Sequence, residues 1–430
     1  MTSKNAAWVL ASGSPRRRAL LGGAGAQFDV HAVDIDETPT AGEDPLAYTQ
    51  RMAQTKALVG AERVGGGRLA LGSDTVVVLD DRILGKPKSP SDAVRMLESL
   101  SGRKHQVIST WAMANGNGLL GADHRVAEVC FRALDRETIE AYVGTGEPMD
   151  KAGSYGIQGH GGALVERFEG DFSTIIGLPL GPVLAQLTTL GAEPAPASLV
   201  AERAAIIKGR IAAACDGMDR RPTSVTLVGA SKAQPLGPIV DALAAGIHDL
   251  GESYVQEWQE KRRALAETLR WHFIGRLQRN KAKLLVGEVS LIHGIDSVRT
   301  IETLGRLARA KETEVKVLIQ VNVSGEASKG GVSPSALNDV LTLARGVAGV
   351  EVDGLMTLPR PGGLAETRSA FRRLRLLRDE YATPESPLPS LSMGMSGDYD
   401  AAIVEGATHV RVGSALFGPR PPVAAPKDVC

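Results

Sequence analysis

The feature that most constrains the fold is a regular alternation of short apolar strands with helical stretches in the second half of the chain. The predicted strands are Val225–Ala230, Asp249–Gly251, His272–Gly275, Leu291–Gly294, Val315–Asn322, Glu351–Met356, Leu391–Met393 and His409–Val412. Strands that alternate with helices are typical of a parallel sheet, and a count of eight favours a closed (β/α)8 barrel of the TIM type. An open doubly wound sheet is the alternative, and the number of strands argues against it.

The chain is too long for this barrel alone. It has 430 residues, whereas a single hydrophobic core rarely serves more than about 250–300 residues. Mixed strand and helix patterns precede the barrel, and "LTTLGAEPAPASLVAERAA" between the two regions is typical of a linker that leads into a helix. We therefore predict an α/β protein with a mixed α/β domain at 1–186, a linker at 187–197 and the barrel at 198–430.

Composition and charge exclude several classes of protein. The formal net charge is zero and 43% of the residues are hydrophobic, as in a globular protein with no general affinity for nucleic acid. The three cysteines lie far apart without CxxC spacing, which argues against a disulfide framework or a zinc site. The N-terminus has no signal-peptide pattern, and no apolar run is long enough to cross a bilayer. We expect a cytoplasmic protein whose partners include neither nucleic acid nor a membrane.

In the barrel, a lysine and several small residues are expected at one edge. "GASKAQP" places Lys232 at the carboxyl end of the first strand, where TIM-type barrels keep their reactive groups. Ser396, Gly413 and Ser414 follow the seventh and eighth strands, where such barrels bind phosphate. By alternation along the eighth strand, Arg411 faces the barrel interior. An imine-forming amine, a phosphate site and a fixed cation together indicate a site for pyridoxal phosphate (PLP).

Several motifs of this half resemble a known family. "GASKAQP", "LGESYVQEWQEK", "WHFIGRLQRNKAK", "DGLMTL" and "SMGMSGDYDAAI" are similar to the pyridoxal phosphate homeostasis protein family, a single barrel related to the N-terminal domain of alanine racemase. The resemblance covers about residues 198–420. It implies that Lys232 carries PLP through a Schiff base, that the three small residues hold the phosphate, and that Arg411 opposes protonation of the ring nitrogen.

The same resemblance implies storage and delivery of PLP instead of turnover of amino acids. Few residues follow the barrel, so we do not expect the separate β domain and the tyrosine base of alanine racemase. A catalytic racemase or lyase is the alternative function for this half. One departure from the family is Ser253, where its members usually have asparagine, so any role of that amide is not carried over.

The first half begins with a second candidate anion site. "WVLASGSPRRRALLGGAG" reads as a strand, a Gly-Ser-Pro turn and a helix, with Ser12, Ser14, Arg16 and Arg17 around the helix start. Hydroxyl and guanidinium donors at a helix N-terminus suit a polyphosphate. The spacing GxxxxGK[ST] is absent, so this is not a P-loop of the Walker type.

Further charged residues extend this candidate site. "VDIDETP" brings Asp34, Asp36 and Glu37 after a strand, where their carboxylates could bind a divalent cation. "YTQRMAQTKAL" carries Lys56 on a helix. "LALGSDTVVVLDDRILGKP" is typical of a hairpin, with Asp74 just before its first strand and Lys86 just beyond the second. A carboxylate, a metal and several cations around a triphosphate suit the attack of water on phosphorus.

Motifs throughout this half resemble the Maf family of nucleoside triphosphate pyrophosphatases, the septum-formation proteins. They are "LASGSPRR", "RMAQTKA", "GSDTVV", "ILGKP", "SGRKHQV", "GEPMDKAGSYGIQGHGG" and "GDFSTIIGLPL". The resemblance implies a mixed α/β fold of the Maf/ITPase type and hydrolysis of a nucleoside triphosphate to its monophosphate and diphosphate with Mg2+ or Mn2+.

The resemblance also assigns roles within that reaction. It implies that Asp74 is the proton acceptor and that Arg16, Thr75 and Gln158 set the specificity, in the combination of the branch that acts on dTTP and UTP. The residues implied to bind phosphates or metal are Lys56, Lys86, Ser12, Arg17 and Glu37. Glu37 and Asp74 are the candidate metal ligands. The four residues assigned to catalysis are Asp74, Lys56, Lys86 and Glu37.

Taken together, these patterns predict a bifunctional protein. Its first half removes dTTP, UTP and modified pyrimidine nucleotides, and its second half holds PLP for intracellular homeostasis. The expected partners are small-molecule nucleotides and PLP, and a second copy of the chain in a homodimer formed through the first domain. A nucleotide-sensing regulator of cell division is the alternative function for the first half.

Overall fold

The computed structural model describes residues 7–193, 198–265, 269–325, 330–360 and 362–419. They form two compact units. The described residues before 197, with residues 205–222 and 363–365, make up the first unit, and the others make up the second. The last four residues of the predicted linker, 194–197, lie outside the described residues, and the predicted domain boundaries stay predictions.

The first unit is a mixed α/β structure, as the sequence predicts. Its strands are β1 (Trp8–Leu10), β2 (Asp29–Val30), β3 (Leu69–Leu79), β4 (Arg82–Leu84), β5 (Lys104–Asn115), β6 (Gly118–Phe131) and β7 (Val165–Glu169). Its helices are α1 (Pro15–Gly23), α2 (Pro45–Val64), α3 (Pro90–Leu100), α4 (Arg136–Val143), α5 (Phe172–Ile176) and α6 (Leu180–Thr189). Helix α7 (Leu199–Asp216) follows.

These strands form one sheet in the order β2-β1-β3-β5-β6-β7, with β4 paired to β3. Strand β1 is parallel to its neighbours β2 and β3, and the remaining pairs are antiparallel. The core beside the sheet contains the fully buried side chains of Trp8, Trp111 and Phe131. Because Ser14 accepts a hydrogen bond from the backbone of Arg17 and Pro15 opens the helix, α1 begins directly after β1 and its turn.

A glycine in β3 determines how closely helix α2 approaches the sheet. A Cβ atom at Gly72 would lie 2.2 Å from the carbonyl oxygen of Ala53 and 2.4 Å from the backbone nitrogen of Ala57, so only glycine permits this contact. The contact places the side chain of Lys56, on the same turn of α2, beside Asp74 of β3. The sequence-based placement of Asp74 just before a strand was wrong, because Leu69–Leu79 runs on as one strand through this glycine.

The second unit is a closed barrel of eight parallel strands, and the prediction of a (β/α)8 barrel is confirmed. The strands are β8 (Thr226–Ala230), β9 (Asp249–Glu252), β10 (Arg270–Phe273), β11 (Leu291–Ile295), β12 (Val315–Gln320), β13 (Val350–Met356), β14 (Ser390–Ser392) and β15 (His409–Val412). The helices are α8 (Leu236–Ala244), α9 (Val255–Ala264), α10 (Val298–Ala310), α11 (Leu337–Arg345), α12 (Leu364–Tyr381), α13 (Tyr399–Val404) and α14 (Ser414–Phe417).

The barrel closes where its last strand pairs with its first. Strand β15 is parallel to β8, and Val412 lies opposite Gly229 in the register of this pair. The loops that follow these two strands therefore leave the barrel side by side at the same rim. This rim is the carboxyl-terminal end of the barrel, where the sequence predicts the PLP site.

Candidate functional sites

The first unit contains a cavity of about 890 Å³. All nine residues that the sequence assigns to the nucleotide site line this cavity, and they come from six separate segments of the chain. They are Ser12, Arg16, Arg17, Glu37, Lys56, Asp74, Thr75, Lys86 and Gln158. A volume of this size accommodates a small-molecule ligand such as a nucleotide.

Arg17 is the most constrained cation in the cavity. Its side chain is buried and donates three hydrogen bonds, from Nε to the carbonyl oxygen of Gly177 at 2.9 Å, from Nη1 to Ser12 Oγ at 3.1 Å, and from Nη2 to Thr75 Oγ1 at 3.2 Å. Burial lowers the pKa of Arg17 from its ordinary value, with Asp74 acting in the opposite sense. A guanidinium fixed on three sides offers its remaining N–H groups in a defined direction, which suits a phosphate.

Lys56 joins the two carboxylates that the sequence assigns to metal binding and proton transfer. Its Nζ lies 2.7 Å from Asp74 Oδ1 and 2.7 Å from Glu37 Oε1. Lys56 and Asp74 are buried, whereas about half of the Glu37 side chain is exposed. Burial disfavours the charged form of Glu37, but the hydrogen bond from Lys56 and the positive charges of Lys56, Lys86 and Arg17 together outweigh this and lower its pKa. Both carboxylates are thus held next to one ammonium group in the cavity.

These carboxylates fit a divalent cation only in company with the substrate. Across the described ranges, no group of three or more His, Cys, Asp and Glu side chains could hold a metal ion by itself. Mg2+ is usually bound by one or two carboxylates together with substrate phosphates and water. Glu37 and Asp74 supply such a pair, whereas Asp34 and Asp36 do not line the cavity.

Gln158 also lines the cavity. Its side chain is 5% exposed, and its Nε2 atom has no hydrogen-bond partner in the part of the chain that the structure describes. A buried amide donor without a partner is costly, so a ligand that accepts from it would bind favourably. Arg16 is more exposed and forms a 3.3 Å ion pair with Asp150 at the edge of the cavity.

The structure adds residues that sequence reasoning did not single out. The carbonyl oxygen of Gly177 accepts from Arg17, from Ser73 Oγ and from Thr75 Oγ1, and so organises one side of the site. Tyr48 also lines the cavity and donates from its hydroxyl to the carbonyl of Glu37 at 2.8 Å. The available signal was the motif "GDFSTIIGLPL", which contains Gly177.

The barrel brings the predicted PLP residues to one rim. Lys232 is half-buried and lies two residues after β8 ends at Ala230, and the backbone of Gly413 lies beside Ala230. Ser396 Oγ accepts hydrogen bonds from the backbone N–H groups of Gly413 at 3.3 Å and Ala415 at 3.1 Å. The serine hydroxyl retains its own proton for donation, and its neighbours are small, so this rim fits a phosphate group.

The loop that carries Lys232 is anchored on both sides by helix α9. Lys261 Nζ donates to the carbonyl oxygen of Ser231 at 2.6 Å and to Glu252 Oε1 at 2.6 Å. Glu257 Oε1 accepts from the backbone of Ala233 at 2.5 Å. Sequence reasoning missed this support, although these residues fall in the family-like motif "LGESYVQEWQEK".

Arg411 lies in the barrel interior. It is 5% exposed, and it donates from Nη1 to Ser392 Oγ and from Nη2 to the carbonyl oxygen of Thr357 at 3.1 Å. Burial lowers the pKa of Arg411 to about 10, so the group remains cationic at neutral pH. A permanent cation at the barrel centre fits the ring nitrogen of PLP.

Comparisons with known proteins divide the chain in the same way. Residues 7–190 match the Maf-like protein family, and residues 211–421 match the N-terminal domain of alanine racemase. The chain is 48% identical over 191 residues to the dTTP/UTP pyrophosphatase of Geobacter metallireducens, which covers 44% of this chain and 98% of that protein.

The second half has relatives of its own. The chain is 43% identical over 225 residues to the pyridoxal phosphate homeostasis protein of Aquifex aeolicus, which covers 51% of this chain and 97% of that protein. It is 34% identical to PipY of Synechococcus elongatus in a structure with PLP bound; the match covers 51% of this chain and 100% of that one, with a TM-score of 0.45.

Proposed function

Because the chain belongs to the Maf family in its first part and to the pyridoxal phosphate homeostasis protein family in its second, we propose that it is a bifunctional protein. The first unit hydrolyses dTTP, UTP and modified pyrimidine nucleotides to the monophosphate and diphosphate. The second unit binds PLP and keeps it available in the cell. We place the protein in the cytoplasm; among the described helices, none is long and apolar enough to span a membrane.

The observation that carries the hydrolase proposal is the Lys56 contact with both Asp74 and Glu37 inside the cavity. In the proposed reaction, water attacks phosphorus, the bond to the bridging oxygen breaks, and diphosphate leaves. The Asp74 carboxylate orients the water and accepts its proton. Lys56 and Arg17 stabilise the charge that develops on the phosphoryl oxygens.

Two further groups complete the proposed nucleotide site. Glu37 and Asp74 would hold Mg2+ or Mn2+ together with the phosphates, and the metal would neutralise charge on the leaving group. Lys86 follows β4, lines the cavity and adds a cation near Glu37. These roles explain why the site concentrates positive charge around two acids.

We assign the recognition of the base to Gln158. The buried Nε2 group of Gln158, which has no partner among the described residues, would donate to a carbonyl oxygen of a pyrimidine. Thr75 lies next to Arg17, and Arg16 lies at the entrance, so these two residues would adjust the position of sugar and phosphates. Discrimination between nucleotides then depends on whether the base can accept a hydrogen bond from this buried amide, which would otherwise have no partner.

In the barrel, Lys232 is the proposed attachment point. PLP supplies an aldehyde that joins covalently to an amine, and an electron-withdrawing ring. Ser396, Gly413 and Ser414 would bind the phosphate at the rim, and Arg411 would donate to the ring nitrogen. Because a guanidinium there would oppose protonation of that nitrogen, the ring would be a weak electron sink, which suits storage better than catalysis.

The hydrolase proposal is tested with a panel of nucleoside triphosphates and measurement of diphosphate release, with and without Mg2+. Asp74→Asn should abolish release, whereas Asp80→Asn should not, since Asp80 pairs with Arg103 outside the cavity. Release by the Asp74 variant at the wild-type rate would refute the proposal. Retention of every cellular effect by that variant would favour the sensing regulator.

The PLP proposal is tested by borohydride reduction followed by peptide mass spectrometry. Reduction should fix the PLP label on Lys232, and Lys232→Ala should lose it while Lys316→Ala keeps it, because Lys316 pairs with Glu351 on the outside of the barrel. A label elsewhere would refute the site, and steady turnover of an amino acid would favour a racemase or lyase. We also propose that the chain forms a homodimer through its first domain, and light scattering of the full chain tests this.

A further inference from the structure

The barrel interior contains a continuous series of hydrogen bonds, of which the proposed PLP site uses only the last member, Arg411. We call it the interior network; its members are Asp249 on β9, His272 on β10, His293 on β11, Ser392 on β14 and Arg411 on β15. The distances are 3.1 Å from Asp249 Oδ1 to His272 Nε2, 3.0 Å from His272 Nδ1 to His293 Nε2, and 2.8 Å from His293 Nδ1 to Ser392 Oγ. Ser392 Oγ in turn contacts Arg411 Nη1.

Each member of the network is buried. His293 and Ser392 are 0% exposed, and none of the five is more than 8% exposed. Polar groups at such depth destabilise a fold unless they are paired, and five apolar side chains could fill the same space without that requirement. The arrangement is therefore expected to serve a purpose besides packing.

The chemistry of the groups determines which atom donates in each bond. Burial disfavours ionisation of Asp249, but hydrogen bonds from His272 and Arg270 outweigh it and lower the pKa of Asp249 to about 2. As a carboxylate it only accepts, so the proton of His272 lies on Nε2. Burial lowers the pKa of His293 well below its ordinary value, so His293 is neutral.

Because Arg411 can only donate to Ser392, every donor in the network meets an acceptor in one order. Arg411 donates to Ser392, Ser392 donates to Nδ1 of His293, Nε2–H of His293 donates to Nδ1 of His272, and Nε2–H of His272 donates to Asp249. The reverse order would leave the hydroxyl proton of Ser392 without a partner in this network, since Arg411 can only donate. The network therefore runs in one direction, from a cation to an anion.

We propose that the interior network positions Arg411 for the ring nitrogen of PLP, and that His293 and Ser392 are positioning residues for this cofactor. The inference rests on the proposed PLP function. The Ser392 hydroxyl donates its proton to a hydrogen bond with His293, and its oxygen accepts from Arg411. One edge of the guanidinium is therefore fixed. Thr357 fixes Nη2 through its carbonyl oxygen. The guanidinium is then held in one orientation, in which it would keep the ring nitrogen of PLP unprotonated.

The test uses the full chain and two readouts, the absorption spectrum of bound PLP over a range of pH and the dissociation constant from dialysis. His293→Leu and Ser392→Ala should each shift the pH dependence of the spectrum and weaken PLP binding about tenfold, equivalent to about 1.4 kcal/mol. His293→Gln should restore both readouts, since its amide can accept from Ser392 and donate to His272.

His409 provides a matched control within the same barrel. Its ring centroid lies 5.9 Å from those of His272 and His293, but its Nδ1 pairs with Thr408 Oγ1 at 3.0 Å, outside the network. His409→Leu should leave the spectrum and the PLP affinity unchanged.

The outcomes separate this inference from the function on which it rests. If wild-type protein takes up no PLP on Lys232, the proposed function fails. If it does, and His293→Leu and Ser392→Ala fold but keep the wild-type spectrum and affinity, the inference is overturned. If His293→Leu does not fold, Ser392→Ala, a smaller change, decides the question. An equal effect of His409→Leu would mean that the barrel core acts only through packing, and would also overturn it.

Discussion

Replacement of Lys56 by methionine tests the central contact of the nucleotide cavity. Lys56→Met keeps much of the apolar stem of the side chain and removes the ammonium that lies 2.7 Å from both Asp74 and Glu37. Two carboxylates then face each other without a cation. Asp74 is 8% exposed and is poorly solvated, whereas about half of the Glu37 side chain is exposed to solvent.

The expected loss of stability follows from this difference in burial. Removal of one partner from a buried ion pair costs about 3–5 kcal/mol, and the exposure of Glu37 favours the lower limit, about 3 kcal/mol. For a unit of this size, that corresponds to a decrease in Tm of about 6–12 °C. Hydrolysis should fall about 100-fold or more, because a group that stabilises developing charge is lost.

The pH dependence has a definite sign. In the wild type, Lys56 lowers the pKa of Glu37 from 4.5, so this contact stabilises the fold above that pH and the stabilisation is lost as the pH falls through the lowered pKa. In Lys56→Met, protonation of Glu37 on acidification relieves the repulsion between the two unpaired carboxylates. The difference in Tm between variant and wild type should therefore be largest near pH 7 and should decrease toward pH 4.

Scanning calorimetry of the full chain measures this difference, and added nucleotide identifies the transition of the first unit by stabilising it. Lys104→Met is the matched control, since Lys104 is an exposed lysine paired with Glu128 on the sheet; it should change neither Tm nor hydrolysis appreciably. A Tm of Lys56→Met equal to that of the wild type at pH 7, or a difference that grows on acidification, would refute the reasoning.

Three further predictions concern the first unit. Gln158→Leu should raise KM for UTP about tenfold with a smaller change in kcat, since a lost contact with the base affects ground state and transition state alike; steady-state kinetics on UTP measure this. Burial lowers the pKa of His105 from 6.5 to about 4, so stability should fall by up to roughly 3 kcal/mol as the pH decreases from 6.5 to 4; denaturant titrations should show this slope in the wild type and not in His105→Gln. Gly72→Ala should destabilise the unit by at least about 2 kcal/mol and reduce hydrolysis, because the new methyl group would meet the Ala53 carbonyl at 2.2 Å; wild-type Tm and activity would contradict the close approach of α2.

Much of the fold could be predicted from the sequence because its signals are local. The eight barrel strands are short apolar runs between helical stretches, and each could be located within one or two residues. The start of α1 follows from Ser14 and Pro15, which act on their own turn of helix. The position of Asp74 could not be predicted, since Gly72 reads as a strand end until its contact with α2 is known.

The candidate sites divide in the same way. The residue types and the motifs indicated which side chains belong to each site, because hydrolysis and imine formation need particular functional groups. They did not indicate Gly177, whose contribution is a backbone carbonyl, or Lys261, whose contact with Ser231 crosses 30 residues of chain.

By itself, the sequence determined two domains, a closed eight-stranded barrel and the two families to which the halves belong. Only the tertiary structure decided that Lys56 holds Asp74 and Glu37 together, and that five strands of the barrel contribute one directed series of hydrogen bonds to Arg411. The physical reason is that strand pattern and helix capping depend on neighbours in the chain. Which polar atoms meet inside a closed barrel depends on the register between distant strands, and no local pattern encodes that register.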